Sequence, residues 1–354
     1  MVGARFRFRS AIVRLVAIPA LVALALAPAA AQTGSNGKVV LQGAGATFPA
    51  PLYKKWIGVF TAQNPDVALE YQEVGSGEGV QRFIAQSIDF GASDAAMTDE
   101  QIARVANGAR LVPATAGMVV LAYNLPGLGG PLKLSRAVYA DIFLRRITSW
   151  NDSRIRAINP GLALPNRSIV IAARQDRSGT TFALANHLSA ISPDWQRGPG
   201  IGYAVDWSGR AMLARGNEGV AALIKTSEGA IGYIEYGFAE RLRLPTAQLQ
   251  NKAGRYIAPS NGAGQAALAS GVGQMPDNLR LYIPDPDGEE SYPIVSLTWL
   301  LLYERYPDKQ KSAALKRFVT WGLSQGQSYG PDLGYIALPA DVAKQSRAAL
   351  ERIQ

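Results

Sequence analysis

Short runs of apolar, often β-branched residues alternate along this chain with stretches whose apolar positions recur every three to four residues. That alternation predicts an α/β protein with largely parallel sheets. Three units share one layout. Val39-Val40-Leu41 leads into the loop GAGATFPAP and then a helix with Tyr53, Trp56, Ile57 and Phe60 at helical spacing; Pro49 and Pro51 suit a helix start. Ala68-Leu69-Glu70-Tyr71 leads into QEVGSGEG and a helix carrying Val80, Phe83 and Ile84. Ile169-Val170-Ile171 leads into ARQDRSGT and a helix carrying Phe182, Ala185 and Leu188. Trp56, Trp299 and Trp321 sit among aliphatic residues and are expected in the core.

The repeated layout has a chemical meaning. A helix N-terminus leaves its first N–H groups unpaired and carries roughly half a positive charge. Small residues let a ligand approach the backbone, and Ser and Thr hydroxyls add donors. Three such termini converging would hold an anion with little net charge. Taken one at a time, each loop could equally be an ordinary strand-to-helix turn.

The N-terminus changes the picture of where the protein works. Arg5, Arg7, Arg9 and Arg14, an apolar run from Leu15 to Ala27 and the step Ala29-Ala30-Ala31 predict a secretory signal peptide over residues 1–31, cleaved after Ala31. The run is short of the ~20 apolar residues of a spanning helix. The 36 basic and 27 acidic residues give +9; losing the four leader arginines leaves +5, which calls for no nucleic-acid partner. With no cysteine, the exported chain has neither disulfides nor a lipid-anchored cysteine, and the periplasm is its expected place.

Rival motifs fare poorly. The third glycine of a dinucleotide-binding G-x-G-x-x-G is replaced by Phe48, and no phosphate-binding G-x-x-x-x-G-K-[ST] loop is present. The stretch ARQDRSGTTFALANHL holds Asp176, Ser178 and the single histidine, His187. On one helix Ser178 and His187 would stand roughly 13 Å apart along the axis, too far for a nucleophile and its base. His187 is expected on a helix face. One histidine and no cysteine leave only an oxygen-ligand metal site, and Asp285-Pro286-Asp287-Gly288-Glu289-Glu290 lacks the spacing of a calcium loop. Asp94, in DFGASDAAMTDE, follows a short apolar strand; from the residues alone it is either a helix N-cap or a functional acid.

Taken together, GAGATFPAPLYKKW, YQEVGSGEGVQ, IDFGASDAAMTDE, RQDRSGTTF, GNEGVAALIK, GAIGYIEYGFA and LGYIALP, in that order from about residue 41 to the end, closely resemble the periplasmic phosphate-binding proteins of high-affinity phosphate ABC transporters. The resemblance implies a two-lobed periplasmic-binding-protein fold. Each lobe would be a mixed, largely parallel sheet flanked by helices, joined by crossing hinge strands near Leu121-Ala122 and Ile294-Val295. Lobe one would comprise residues 32–121 and 295–354, and lobe two residues 122–294. The ligand set it implies is Thr47, Phe48 (through its backbone N–H), Ser76, Asp94, Arg174, Ser178, Gly179 and Thr180, with Asp176 orienting Arg174. Glu78 and Arg177 depart from the small residue and the glycine usual in the family. The implied function is a monomeric, non-enzymatic receptor without cofactor or metal. It would close on inorganic phosphate and deliver it to a permease and ATPase complex in the inner membrane. The alternatives are a receptor for another tetrahedral oxyanion such as sulfate or molybdate, and a secreted phosphatase-like enzyme.

Overall fold

A computed structural model describes residues 37–207 and 209–354; the expected leader, residues 1–31, lies outside the described residues. The strands are β1 (Val39–Gly45), β2 (Val67–Glu73), β3 (Phe90–Ser93), β4 (Ala109–Tyr123), β5 (Lys133–Leu134), β6 (Val170–Arg174), β7 (Ala211–Ala214), β8 (Ala230–Glu235), β9 (Gln248–Gln250), β10 (Tyr256–Ile257) and β11 (Val295–Tyr303). The helices are α1 (Ala50–Gln63), α2 (Ser76–Ile84), α3 (Asp99–Ala103), α4 (Arg136–Phe143), α5 (Ser153–Ile158), α6 (Gly179–Ile191), α7 (Pro193–Arg197), α8 (Gly216–Thr226), α9 (Tyr236–Leu242), α10 (Asn261–Val272), α11 (Lys309–Gly322) and α12 (Ala340–Leu350). The three predicted strand–loop–helix units are therefore β1–α1, β2–α2 and β6–α6.

Eight strands form one mixed sheet in the order β2-β1-β3-β11-β4-β8-β6-β7. The outer parts are parallel: β1 pairs with β2 and β3, and β6 pairs with β7 and β8. The middle is antiparallel, with β11 between β3 and β4, and β8 on the far edge of β4. β4 and β11 are apolar without alternation, as strands covered on both faces must be, and nearly every residue in them is buried. The first part of β4 pairs with β11 up to Met118; from Val119 to Tyr123 it pairs with β8. The sheet thus has two halves that share β4, and they change over at Met118/Val119, a few residues ahead of Leu121-Ala122. Val119 N–H also bonds the Ile294 carbonyl (3.0 Å), so the chain re-enters the first half beside the same point.

One irregularity matters for function. The β4–β11 register shifts between Thr298 and Trp299: Thr298 pairs with Thr115, and Trp299 with Pro113. Ala114 is the extra residue. A proline cannot donate to a central ladder, and a bulge is where a sheet tolerates one. The bulge sits where Thr298 turns toward Asp94, as described below.

Trp56 and Trp299 are buried, with their indole N–H groups on the carbonyls of Gly326 (2.7 Å) and Leu279 (2.7 Å); Trp321 is buried beside Phe60. The Asp285 carboxylate is held by both terminal nitrogens of Arg136 at 2.7 Å, an ion pair in place of a calcium ligand. No helix among the described residues is long and apolar enough to cross a membrane.

Candidate anion-binding site

The loops after β1, β2, β3 and β6 meet where the two halves of the sheet face each other. In the first loop the Phe48 ring is fully buried as an anchor: it packs edge-on against Tyr335, whose hydroxyl donates to the Phe48 carbonyl (2.7 Å). The Phe48 side chain is thus core, while its N–H has no protein acceptor among the described residues. The second loop turns at Gly75 (φ +92°), so that Ser76 opens α2. In the loop after β6, Ser178 caps α6: its Oγ accepts from Thr181 N–H (3.1 Å), and its own N–H bonds the Tyr203 carbonyl (2.8 Å). That leaves the Ser178 hydroxyl proton and the first amides of α6 available as donors.

Asp94 directly follows β3 and is buried. It caps no helix, because α3 has its own capping box in Thr98 and Gln101. Thr298 Oγ1 donates to Asp94 Oδ1 (2.8 Å), Ser76 Oγ donates to Oδ2 (3.3 Å), and Asp94 N–H bonds Ser76 Oγ (3.2 Å). Burial pushes the carboxyl up to about 7, against the opposing pull of the Thr298 bond, the Arg174 charge and the Ser76 bond.

Arg174 ends β6, and its side chain is 1% exposed. Its Nε bonds Asp176 Oδ1 (2.8 Å), Nη2 bonds Oδ2, and Nη1 reaches Thr180 Oγ1 (3.3 Å). Asp176 also accepts from Gly216 N–H (3.1 Å). Burial raises the Asp176 carboxyl, but the Arg174 bonds and charge outweigh it and hold the group below its ordinary range. The two residues form the fork and its support that the resemblance implies.

The two halves touch through these residues. A Cβ on Gly179 would lie 2.5 Å from both Asp94 Oδ2 and Ser76 Oγ, so only glycine lets the α6 N-terminus sit on that acid. A Cβ on Gly75 would run into the Asp176 carboxylate. Gly77 N–H bonds the Arg177 carbonyl (2.9 Å), and Tyr203 Oη donates to the Ala95 carbonyl (3.2 Å). All eight candidate ligand residues and Asp176 lie in this one cluster. Asn217, at the start of α8, joins Thr47 to Thr180 and completes the chain of contacts. A groove of about 690 Å³ opens beside Thr47, Asp176, Arg177 and Asn217. The two departures face this mouth differently. Glu78 is half exposed and engaged by Arg82 (2.8 Å), while the Arg177 guanidinium lies over the Tyr203 ring (5.6 Å).

Sequence reasoning missed Asn217, Thr298 and Tyr203. For Asn217 a signal was present: β7, the GNEG loop and α8 repeat the strand–loop–helix layout of the other three units. Thr298 is a lone threonine in an apolar strand, a position where a polar side chain must have a partner. Tyr203 lies in an irregular segment without periodicity.

His187 is far from this chemistry. It is buried on α6, with Nδ1 at 2.7 Å from the Pro284 carbonyl and Nε2 at 2.8 Å from Tyr139 Oη, which fixes the Nδ1–H tautomer. No serine of the cluster has a histidine within reach, and no group of three metal-ligating side chains occurs among the described residues. The arrangement offers many donors, one buried guanidinium, and one buried carboxyl, Asp94, that is outside an ion pair. Those are the parts for holding a small oxyanion that keeps a proton.

Residues 27–325 match the model of the PBP superfamily domain. The chain is 38% identical over 305 residues to the phosphate-binding protein PstS of Haemophilus influenzae, covering 85% of this chain and 90% of that protein. It is 35% identical over 349 residues to the phosphate-binding protein PstS of Methanocaldococcus jannaschii, covering 91% and 89%. Among solved structures, a high-affinity periplasmic phosphate-binding protein (PfluDING) bound with phosphate matches with a TM-score of 0.69 at 20% identity, over 88% of this chain and 93% of that one. A phosphate-binding protein from Stenotrophomonas maltophilia matches with a TM-score of 0.68 at 17% identity, over 88% and 93%. At those identities the structural matches establish the fold.

Proposed function

This chain belongs to the PBP superfamily and, within it, to the PstS phosphate-binding proteins, and on that premise we propose that it is a receptor that closes on inorganic phosphate and hands it to an ABC-type permease and ATPase complex. The observation that carries the reading is Asp94. It is a buried carboxyl set among donors, and it provides the acceptor that a partly protonated oxyanion needs. Thr47, Phe48, Ser76, Asp94, Arg174, Ser178, Gly179 and Thr180 hold the ion, and Asp176 holds Arg174. Lobe one is residues 32–121 with 295–354, and lobe two is residues 122–294. Phosphate makes contacts with both that only the closed form offers, so it shifts the protein toward closure. The receptor is exported by its leader and acts as a monomer in the periplasm. No hydroxyl of the cluster has a histidine partner, and the one carboxyl that accepts from hydroxyls, Asp94, is read as the acceptor for the anion's proton, so turnover of a phosphate ester is not expected.

A ceiling of ~1.5 kcal/mol per heavy atom gives roughly 7.5 kcal/mol for a five-atom ion, or a Kd on the order of micromolar; charge-assisted bonds tighten it further. Calorimetric titration should show phosphate binding at micromolar Kd or below. Arsenate should compete, because it also keeps a proton near neutral pH. A protein that ignores phosphate would overturn the reading, and release of chromophore from a phosphate ester would favour the enzyme.

His187 supplies a control with its own pH signature. His187→Ala should leave phosphate affinity within about threefold, since the residue lies roughly 12 Å along α6 from Gly179. Its cost is in stability. Burial lowers the imidazole to about 4, from an unfolded value of 6.5. The folded pKa is depressed, so the unfolded chain binds the proton first. The contribution is intact above pH 6.5 and is lost as pH falls toward 4. Between pH 7 and pH 5 the stability gap between wild type and His187→Gln should shrink by about 2 kcal/mol. Urea unfolding at the two pH values measures it, and a gap that does not change would mean His187 is not buried neutral.

A further inference from the structure

Asn217 is wholly buried and makes two hydrogen bonds across the two halves, both to Thr47. Its Oδ1 accepts from Glu235 N–H at 2.9 Å, so the amide orientation is set by a backbone donor. The Nδ2 group therefore faces the threonines. It donates to Thr47 Oγ1 at 2.9 Å and to Thr180 Oγ1 at 3.2 Å. The Thr180 hydroxyl also stands 3.5 Å from Asn217 Oδ1, at the edge of bonding range and much longer than the 2.9 Å bond that oxygen accepts from Glu235 N–H.

Each threonine oxygen has two lone pairs and one proton. Thr47 Oγ1 accepts a second bond from Asn217 N–H (3.2 Å), one of the otherwise orphaned donors in the first turn of α8. Thr180 Oγ1 accepts a second bond from Arg174 Nη1 (3.3 Å). With both lone pairs filled on both oxygens, the only bond left to either hydroxyl is donation.

We infer that Asn217 is a positioning residue that orients the hydroxyl protons of Thr47 and Thr180 toward the bound anion, making each threonine an obligate donor, while tying the two lobes together. The inference rests on the reading of this cluster as the phosphate site. It assigns the GNEG loop a role in ionisation-state recognition: two hydroxyls that cannot accept reinforce a site in which Asp94 alone takes a proton from the ligand. An ion with a second proton would meet a donor with a donor.

Asn217→Asp tests this. The carboxylate keeps the volume and the bond from Glu235 N–H, but it can no longer donate, and both threonine protons turn toward it. Phosphate binding measured by calorimetry at pH 8 should weaken about 100-fold. In a Thr180→Val background the same substitution should cost no more than about tenfold, because one of the two hydroxyls it acts through is gone. Equal costs in the two backgrounds, or binding within threefold of wild type, would overturn the role. If wild type itself fails to bind phosphate, the receptor reading fails instead. Should Asn217→Asp not fold, wild type carries the test. The Asn217 side-chain amide protons of the phosphate-bound protein should be among the slowest to exchange with deuterium, and rapid exchange would sink the idea.

Discussion

At pH 8, wild-type protein should saturate with micromolar phosphate and show no binding of millimolar sulfate. The reason is Asp94. In a dry cleft a carboxylate facing an oxyanion is repulsive unless a proton lies between them, and a partly protonated phosphate brings that proton. Sulfate brings an acceptor to an acceptor. It can bind only if Asp94 first takes a proton from water. A carboxyl solvated in an open cleft titrates near 3.8, so at pH 8 that proton costs about four pH units, or on the order of 10⁴ in affinity. This lies within the range by which a site built around one hydrogen bond rejects an analogue that lacks it, ~10⁴–10⁵. The penalty has a sign that can be followed. In the assembled cluster burial lifts the Asp94 carboxyl to about 7, so the cluster holds the proton more readily than a solvated carboxyl does. Sulfate binding should therefore strengthen as pH falls from 8 toward 5, by up to tenfold per unit while the open-state carboxyl remains ionised. Asp94→Asn removes the titration. Its amide can donate to a fully ionised oxyanion, so the variant should take sulfate at millimolar concentration or below, with little dependence on pH. Paired titrations of both proteins with both anions at pH 8 and pH 5 decide it. Tight sulfate binding by wild type at pH 8, or an unchanged phosphate-to-sulfate ratio in Asp94→Asn, would remove the main physical support for phosphate as the ligand.

The sequence showed this site in parts. Gly75, Ser76, Ser178, Gly179 and Thr180 were legible because helix starts are local: the residues that turn the chain and the residues that expose donors are the same few letters. The Arg174–Asp176 fork came through the resemblance, and it is a local feature, since the two residues lie two apart and bond each other. Asp94 was ambiguous until the alternative helix cap was accounted for, although T-x-x-Q at Thr98 and Gln101 already carries a capping-box pattern. What could not be read were the partners brought in by distant strands. Thr298 reaches Asp94 across 204 residues, through a bulge that Pro113 accompanies on the neighbouring strand. Asn217 reaches Thr47 across 170. Local patterning also suited parallel strands and so concealed the antiparallel centre, because the pairing of β4 with β11 depends on a chain reversal some 180 residues long. Phe48 shows the limit most plainly. Its ring is core and its N–H is the candidate ligand, and no side-chain pattern separates the two roles.

Removing the guanidinium should have the second largest effect. Arg174→Ala should weaken phosphate binding by roughly 2–4 kcal/mol, about 30- to 900-fold, the range for truncating one partner of a buried charge pair. Arg174 has the one guanidinium buried at the cluster, and Asp176 occupies Nε and Nη2, so what remains to face an anion is the other edge of a fixed plane. Arg174→Lys should recover only part of the loss. A lysine can place a charge there, but it cannot span both Asp176 oxygens, meet Thr180 and still present a second donor in plane. Asp176→Asn separates charge from orientation: the guanidinium stays charged while its fork loses the ionised support, so binding should fall by less than in Arg174→Ala. The same pair also supports the fold, since removing half of a buried ion pair costs about 3–5 kcal/mol of stability. Affinities are therefore to be compared at a temperature where circular dichroism shows each variant folded. The ranking is the sharp part of the test. If the anion is held by the fork, affinity should run from wild type through Asp176→Asn and Arg174→Lys to Arg174→Ala. If Arg174 serves the fold alone, all four folded proteins should bind phosphate within about threefold of one another, and the loop after β6 would have to be withdrawn from the site.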